Sequence, residues 1–279
     1  MSRTTRLSLL AATVAVAALA LTGCAGSSAP ADTSDSTGTA ESLGTLKVGA
    51  LQTPAGDILT FLADGPAAEE GLTIEFVPFT DYNTPNTALV DESIDANLFQ
   101  HQAFLDNFNQ NTGADLVAVG EAYLPSAAFY SDKVKSFDEL EDGATIAIPN
   151  DPSNEGRALK LLAQEGVIEV SDDVADLSGV TANPRNFQFT EIENATLPQA
   201  LPDVDAAFVT SSFALPAGLT ADQAILLEGE DSPYYNVLAT RPELVDDPRI
   251  VALYTLLTSQ ETADFITETW GGLIVPVVG

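Results

Sequence analysis

The chain contains 279 residues, with 41 Asp and Glu against 10 Lys and Arg, and its formal charge is −31. It has a single Cys and a single His. Nucleic-acid-binding proteins need clustered Lys and Arg to neutralise phosphates, so this composition excludes a nucleic-acid partner. One Cys also excludes an internal disulfide framework and a Cys-rich zinc site. We predict no bound metal and no cofactor.

The first residues have the pattern of a targeting signal. Arg3 and Arg6 precede an apolar run at 7–21, and the sequence Leu-Thr-Gly-Cys closes it at Cys24. The run is shorter than the roughly 20 residues that a membrane-spanning helix needs, so we predict a signal peptide at 1–23. The closing sequence resembles a bacterial lipobox, in which the Cys becomes the lipidated first residue. The alternative is an ordinary secreted protein with an unrelated, buried Cys.

The next segment, 24–44, is rich in Ser, Thr, Ala, Gly and Asp. Such a composition cannot bury a core, so it predicts a flexible tether between a lipidated Cys24 and a folded region. Removal of the signal peptide leaves 8 basic residues against 41 acidic ones, a charge of −33. The predicted location is the extracytoplasmic face of the cell membrane, where acyl chains anchor the chain.

From residue 45 onward, short β-like runs alternate with helical patterns, which is typical of an α/β fold with mostly parallel sheets. The predicted strands are 46–51, 72–79, 94–98, 144–148, 187–190, 205–209 and 235–239. The predicted helices are 54–70, 83–90, 153–165, 196–201, 248–257 and 260–270.

These elements form two similar series, and we predict that the chain leaves the first half near 119–130 and returns to it near 234–240. We therefore predict two α/β lobes. The predicted boundaries are 45–125 for the first part of lobe 1, 126–234 for lobe 2 and 235–279 for the return to lobe 1. Ligands of α/β sheets bind at the carboxyl ends of strands, so a cleft between the lobes is the expected binding site.

One candidate site follows the strand at 144–148. Asp151 or Ser153 can cap the helix that begins there, and the unpaired amides of a helix N-terminus favour an anion. Arg157 lies one turn further on, and its planar guanidinium suits a carboxylate. The alternative is a surface arginine paired with Asp151 or Glu155.

A second candidate group is aromatic. Tyr82 follows one predicted strand, and Phe99, His101 and Phe104 follow the next. Together they could form an aromatic wall with one polar edge, suited to a modest apolar side chain. The alternative is that the two phenylalanines belong to the core and the histidine only satisfies a backbone group.

Taken together, these segments resemble the methionine-binding lipoproteins of the NlpA type, the substrate-binding components of ABC importers. The segments that carry the resemblance are Phe-Thr-Asp-Tyr at 79–82, Asp-Ala-Asn at 95–97, Phe-Gln-His at 99–101, Leu-Val-Ala-Val-Gly at 116–120, Ile-Pro-Asn-Asp-Pro at 148–152, Asn-Glu-Gly-Arg-Ala-Leu at 154–159 and Asp-Ala-Ala at 205–207. They occur in order and span about 46–278.

The resemblance implies a two-lobed periplasmic-binding-protein fold of type II that closes over a free amino acid, and L-methionine is the expected ligand. It implies that Arg157 binds the ligand carboxylate with help from Asn154. Tyr82, Phe99, His101 and Phe104, named above, would then surround the thioether. It further implies an ABC permease and its ATPase as partners, and we expect a monomer.

Two positions depart from the family pattern. Phe104 stands where the family usually has Tyr, and Thr-Ser-Ser-Phe-Ala at 210–214 replaces a common Asn-x-Asn-Tyr-Ala segment. Ser212 and Thr210 could still accept a hydrogen bond from a ligand ammonium group, but both have a shorter reach than Asn. Asn236 matches a family asparagine. A different amino acid or a methionine-containing dipeptide therefore stays open as the ligand.

Two other functional classes were weighed. A hydrolase triad would have to use His101, yet no Gly-x-Ser-x-Gly turn is present, and neither Gly-x-Gly-x-x-Gly nor a phosphate-loop pattern occurs. A structural or adhesive lipoprotein would not require an arginine at a helix start facing an aromatic wall. We predict a binding protein rather than an enzyme.

Overall fold

The computed structural model describes residues 42–279. The predicted signal peptide at 1–23, the lipidated Cys24 and nearly all of the predicted tether lie outside the described residues.

The strands are β1 Gly44–Leu51, β2 Leu72–Phe79, β3 Ala96–His101, β4 Val117–Pro125, β5 Ala127–Tyr130, β6 Thr145–Pro149, β7 Glu169–Val170, β8 Val180–Ala182, β9 Gln188–Ile192, β10 Ala206–Thr210, β11 Ala224–Leu227, β12 Asn236–Thr240 and β13 Ile274–Pro276. The α-helices are α1 Asp57–Asp64, α2 Pro66–Glu69, α3 Pro85–Val90, α4 Gln102–Thr112, α5 Pro152–Gln164, α6 Leu197–Ala200, α7 Ser211–Ala214, α8 Pro248–Leu257 and α9 Gln260–Trp270.

The strands form two main sheets and one short hairpin of β7 and β8. The larger sheet has the order β13-β4-β12-β3-β1-β2, and the smaller sheet has the order β11-β5-β10-β6-β9. Parallel pairs occupy one side of each sheet, where β1 pairs with β2 and β3, and β6 pairs with β9 and β10. The expectation of mostly parallel sheets is wrong for the other side. There β12 runs antiparallel to both β3 and β4, and β5 runs antiparallel to β10, because these strands carry the chain out and back.

The chain crosses between the sheets twice within the described residues. Ser126 alone separates β4 in the larger sheet from β5 in the smaller one, and residues 228–235 lead back from β11 to β12. The Ser126 amide donates to the Leu273 carbonyl at 3.1 Å. The Ser211 hydroxyl donates to the Ser126 carbonyl. The first crossing is thus a single buried residue held by backbone and side-chain bonds.

Each sheet has its own apolar core. Leu46, Val48 and Ile58 are fully buried in the core of the larger sheet, and Phe129 and Phe208 in that of the smaller one. A third cluster includes residues from both halves: Phe99 of β3 and Tyr82 just after β2 on the side of the larger sheet, and Val209 of β10 and Phe213 of α7 on the side of the smaller sheet. This third cluster forms an apolar contact between the two halves.

Two helical segments differ from the sequence prediction. The helix predicted at 54–70 breaks at Gly65, whose φ of −144° and ψ of −93° are not helical, and α2 begins again at Pro66. A residue that precedes proline is disfavoured in the helical region, which explains the break at this position. Helix α4 was not predicted, because its sequence is mostly polar and contains few apolar residues at helical spacing.

Candidate functional site

A cavity lies between the two sheets, and its empty space, including the part open to solvent, is about 260 Å³. The residues that line it are Tyr82, Phe99, Gln100, His101, Phe104, Pro125, Asn154, Arg157, Thr210 and Asn236. The cavity therefore brings together all the residues predicted to bind the ligand except Ser212.

The aromatic wall is formed by three rings from the larger sheet and its loops. The ring centroids of Phe99 and Phe104 are 5.7 Å apart, and those of Tyr82 and Phe104 are 5.9 Å apart. The pairing of β3 with β12 shifts at this point. Gln100 pairs with Val237, but the next residue of β12, Leu238, pairs with Leu98, so Phe99 has no partner on β12. Phe99 is the additional residue of this bulge, a feature that redirects side chains next to binding sites. The rings line the cavity while they remain part of the core.

His101 ends β3 and caps α4. Its Nδ1 accepts a hydrogen bond from the Phe104 amide at 3.2 Å, so in the neutral imidazole the proton lies on Nε2. The Nε2 atom is 3.3 Å from Oδ1 of Asn154, to which it donates. Burial, followed by the positive charge of Arg157, lowers the pKa of His101 to about 4. The imidazole is therefore neutral near pH 7 and presents no charge to the cavity.

Helix α5 brings Asn154 and Arg157 to the cleft. The Asp151 carboxylate caps the helix by accepting from the Asn154 amide at 3.0 Å, and Pro152 occupies the first turn. The same carboxylate accepts from the side-chain amides of Asn154 and Asn194. The sequence prediction of a helix capped by Asp151 or Ser153 is confirmed, and Asp151 is the capping residue. The cap also fixes the Asn154 side chain between Asp151 and the imidazole of His101.

Arg157 is buried, with only 2% of its surface exposed. Its Nε donates to Oε1 of Glu228 at 2.9 Å, and its Nη2 donates to Oε2 of the same carboxylate and, at 2.9 Å, to the Pro125 carbonyl. The Tyr234 ring covers one face of the guanidinium, with 4.8 Å between Cζ and the ring centroid. Among the described residues, Nη1 has no hydrogen-bond acceptor. The alternative of a surface arginine paired with Asp151 or Glu155 is wrong.

Glu228 was missed by the sequence analysis, because it lies 71 positions after Arg157 and belongs to no local motif. It is buried, and its Oε2 also accepts from the Ala127 amide at 3.1 Å. Burial alone would raise the pKa of the Glu228 carboxyl. The charge and hydrogen bonds of Arg157 outweigh burial and hold that pKa below its ordinary value. The carboxylate therefore stays ionised beside the guanidinium.

The segment that departs from the family pattern also reaches the cleft. The hydroxyl groups of Tyr82 and Thr210 are 3.0 Å apart, so a hydrogen bond joins the loop after β2 to the end of β10. Ser212 is buried near this pair but is not a lining residue of the cavity. Asn236 donates from Nδ2 to the Tyr123 hydroxyl at 3.1 Å, and its Oδ1 has no donor among the described residues. Thr210, rather than Ser212, faces the cavity at this edge.

Within residues 42–279, no three His, Cys, Asp or Glu side chains converge closely enough to hold a metal ion. The same residues contain no helix long and apolar enough to span a membrane.

Two sheets joined by two crossings around a buried cavity define a two-lobed periplasmic-binding-protein fold. The chain belongs to the NlpA lipoprotein family, whose sequence profile matches residues 46–278. It is 38% identical over 208 residues to the D-methionine-binding lipoprotein MetQ of Salmonella typhi, a match that covers 72% of this chain and 77% of that protein. The family resemblance predicted from the sequence motifs is confirmed.

Solved structures agree with this assignment. A periplasmic substrate-binding protein of an ABC transporter from Coxiella burnetii superposes with a TM-score of 0.80 at 34% identity, covering 83% of this chain and all of that chain. A nutrient-binding protein from Burkholderia cenocepacia, solved with methionine bound, superposes with a TM-score of 0.80 at 36% identity, covering 83% and 99%. The predictions of a two-lobed fold and of a binding protein that is not an enzyme are confirmed.

Proposed function

We propose that this chain is the extracytoplasmic substrate-binding lipoprotein of an ABC importer and that it binds a free amino acid in the cavity between its lobes. The observation that carries this proposal is the buried guanidinium of Arg157. Its Nε and Nη2 are engaged by protein groups, Nη1 has no acceptor among the described residues, and Arg157 lines the same cavity as the aromatic wall. A hydrogen-bonded guanidinium and an apolar wall are complementary to the two ends of an amino acid.

The ligand pose follows from the unpaired polar atoms. The ligand carboxylate binds to Nη1 of Arg157, with Asn154 beside it on the same helix. The ligand ammonium donates to Oδ1 of Asn236, and Thr210 provides a second oxygen at that edge. The ligand side chain lies against the aromatic wall and His101, and Ser212 acts only indirectly, through its position near Tyr82.

We propose L-methionine as the ligand. The wall is apolar and His101 is neutral, so the side chain it selects is uncharged, as a thioether is. The support from relatives is that one is named for methionine binding and one was solved with methionine bound. The partners are then an ABC permease with its ATPase, and the chain acts as a monomer.

The two lobes in this proposal are 45–125 with 235–279, and 126–234. The sheets support these boundaries. All strands of the smaller sheet lie within 126–234, and all strands of the larger sheet lie within 45–125 and 235–279, except that β1 begins one residue earlier, at Gly44. Ligand contacts from both lobes favour the closed form, which the permease recognises.

The test is calorimetric titration of the full-length chain with a panel of amino acids, D-methionine and methionine-containing dipeptides. We expect L-methionine to bind most tightly and to be recovered unchanged after incubation. Tighter binding of another amino acid or of a dipeptide would correct the ligand, and turnover of any compound would contradict a binding role. A chain that binds none of them would refute the proposal.

We also propose that Cys24 carries the lipid anchor, with 1–23 removed as a signal peptide and 24–44 as a tether. The support is the sequence pattern and membership of a lipoprotein family. Labelling cells with a palmitate analogue should mark the wild-type chain and leave a Cys24→Ser variant unlabelled and released from the membrane. A labelled Cys24→Ser variant would contradict this anchor site.

A further inference from the structure

The charge balance of the cavity depends on a residue that does not line it. Among the described lining residues, Arg157 is the one that carries a formal charge near pH 7, since His101 is neutral. Behind Arg157, the Glu228 carboxylate contacts both Nε and Nη2 of the guanidinium. The pair is buried on both sides, with side-chain exposures of 1% and 7%. The cavity wall and the residue behind it therefore have no net charge.

Another carboxylate lies near the cavity. Asp151 caps α5, where the helix N-terminus carries about half a positive charge, and it accepts hydrogen bonds from Asn154 and Asn194. Its charge is thus partly offset by the helix and its hydrogen bonds. Taken with the neutral pair of Arg157 and Glu228, the surroundings of the cavity are neutral to slightly negative.

This balance has different consequences for two kinds of carboxylate ligand. A zwitterion brings an ammonium group together with its carboxylate, so the buried site stays balanced after binding. An anion without the ammonium group adds one uncompensated negative charge to a buried site, which is strongly unfavourable. An unpaired arginine would bind both kinds of ligand, because its own positive charge would balance the anion.

We propose that Glu228 is a specificity-determining residue that makes the cleft select zwitterionic amino acids over anionic carboxylates of the same shape. It acts through Arg157, by neutralising the guanidinium while leaving Nη1 available. This inference rests on the proposed function, because it assumes that an amino acid occupies the cavity.

The test compares two probes, L-methionine and its α-hydroxy analogue, which keeps the carboxylate and thioether but lacks the ammonium group. The measured quantity is the ratio of their dissociation constants, determined by calorimetry with the full-length chain. Glu228→Gln keeps the size of the side chain and removes its charge. We expect the preference for methionine to fall about tenfold or more in this variant, because the unpaired guanidinium now balances the anion. A purely structural role would weaken both probes alike and leave the ratio unchanged, which would overturn the proposal.

Two further variants complete the test. Glu243→Gln makes the same chemical change in an exposed ion pair, where Glu243 contacts Arg241 at 2.9 Å, and it should leave the ratio as in the wild-type chain.

Glu228→Asp keeps the charge in a shorter side chain, so it is expected to fold and to keep the ratio while both affinities fall. If Glu228→Asp lowers the preference tenfold, charge is not the determinant and the proposal is refuted, even where Glu228→Gln fails to fold. If the wild-type chain binds methionine but Glu228→Gln leaves the ratio unchanged, only this inference fails. If the wild-type chain binds no amino acid, the proposed function fails first.

Discussion

The imidazole of His101 and the side-chain amide of Asn154 meet across the cleft, with 3.3 Å between Nε2 and Oδ1. His101 ends a strand of the larger sheet, whereas Asn154 lies in the first turn of α5, which packs on the smaller sheet. In the neutral imidazole, Nδ1 accepts from the Phe104 amide and Nε2 donates its proton to Asn154. Protonation would place a second proton on Nδ1 and remove the bond from Phe104, so the cap of α4 depends on the protonation of the side chain that joins the two lobes.

We expect the stability that neutral His101 contributes to be lost as the pH falls from about 6.5 to about 4. The pKa of His101 is lowered to about 4, so in this interval the unfolded chain binds the proton first and folding becomes less favourable. The loss is about 3 kcal/mol, and above pH 6.5 the contribution is fully present. The variant His101→Asn keeps a helix-capping side chain without a titrating group. Urea unfolding of both chains across this pH range measures the difference, and a difference independent of pH would contradict the assignment.

Glu155 should show the opposite dependence. Burial, followed by the charge of Glu191, raises the pKa of Glu155 to about 7. Because the folded-state pKa lies above the ordinary value, ionised Glu155 destabilises the fold above pH 7, and the penalty disappears as the pH falls towards 4.5. Glu155→Gln should therefore melt at a higher temperature than the wild-type chain at pH 8, with the gain fading in acid. Glu169→Gln, an exposed control, should show no such gain. A lower melting temperature for Glu155→Gln at pH 8 would contradict this prediction.

Arg157→Lys tests the carboxylate contact while it preserves a positive charge next to Glu228. Lysine lacks the planar fork, so it cannot contact Glu228, the Pro125 carbonyl and the ligand at once. We expect the affinity for L-methionine to fall roughly 10- to 150-fold, the value of a charged hydrogen bond of about 1.5–3 kcal/mol. Calorimetry measures the loss, and Arg249→Lys, which alters a pair with Asp247 away from the cavity, is the control. Unchanged affinity in Arg157→Lys would remove the carboxylate from this site.

Gly156 allows α5 to approach the segment that follows β7. A Cβ atom at this position would lie 2.8 Å from the Val174 carbonyl oxygen, which is backbone and cannot rotate away. We expect Gly156→Ala to lower the free energy of unfolding by about 1–3 kcal/mol and to weaken ligand binding, because α5 must shift together with Arg157. Denaturant unfolding and calorimetry measure the two effects. In the control Gly272→Ala, the added methyl group meets no atom within 4 Å and should change stability by less than about 0.5 kcal/mol. A Gly156→Ala variant as stable as the wild-type chain would contradict the close approach.

Much of the fold is predictable from local sequence. The strand at 72–79 and the helices at 248–257 and 260–270 match the structure, because turn residues and helix caps mark their ends. The strands β11 and β13 were missed, since short strands are fixed by pairing with β5 and β4 rather than by their own pattern. The direction of the crossing strands was also missed, because it depends on contacts between distant parts of the chain.

The candidate site likewise contains some residues that local motifs predict and others that only long-range contacts reveal. Local motifs identified Arg157, Asn154 and the aromatic residues near 82 and 99–104, and the structure brings them into one cavity. Motifs could not identify Glu228, whose importance comes from a contact across 71 positions. They offered both Ser212 and Thr210 as acceptors and placed Ser212 in the site, because a sequence motif does not show which hydroxyl group faces a cavity.

The contacts of Arg157 connect the cavity to both crossings between the lobes. Its guanidinium binds the Pro125 carbonyl, which directly precedes Ser126, and it binds Glu228 at the start of the returning segment. In evolutionary terms, this makes the arginine difficult to exchange alone. A descendant of this chain that came to carry cargo without a carboxylate would have to change positions 157 and 228 together, because a lone Glu228 would be a buried charge without a partner, so such transitions should appear as linked substitutions rather than as single steps.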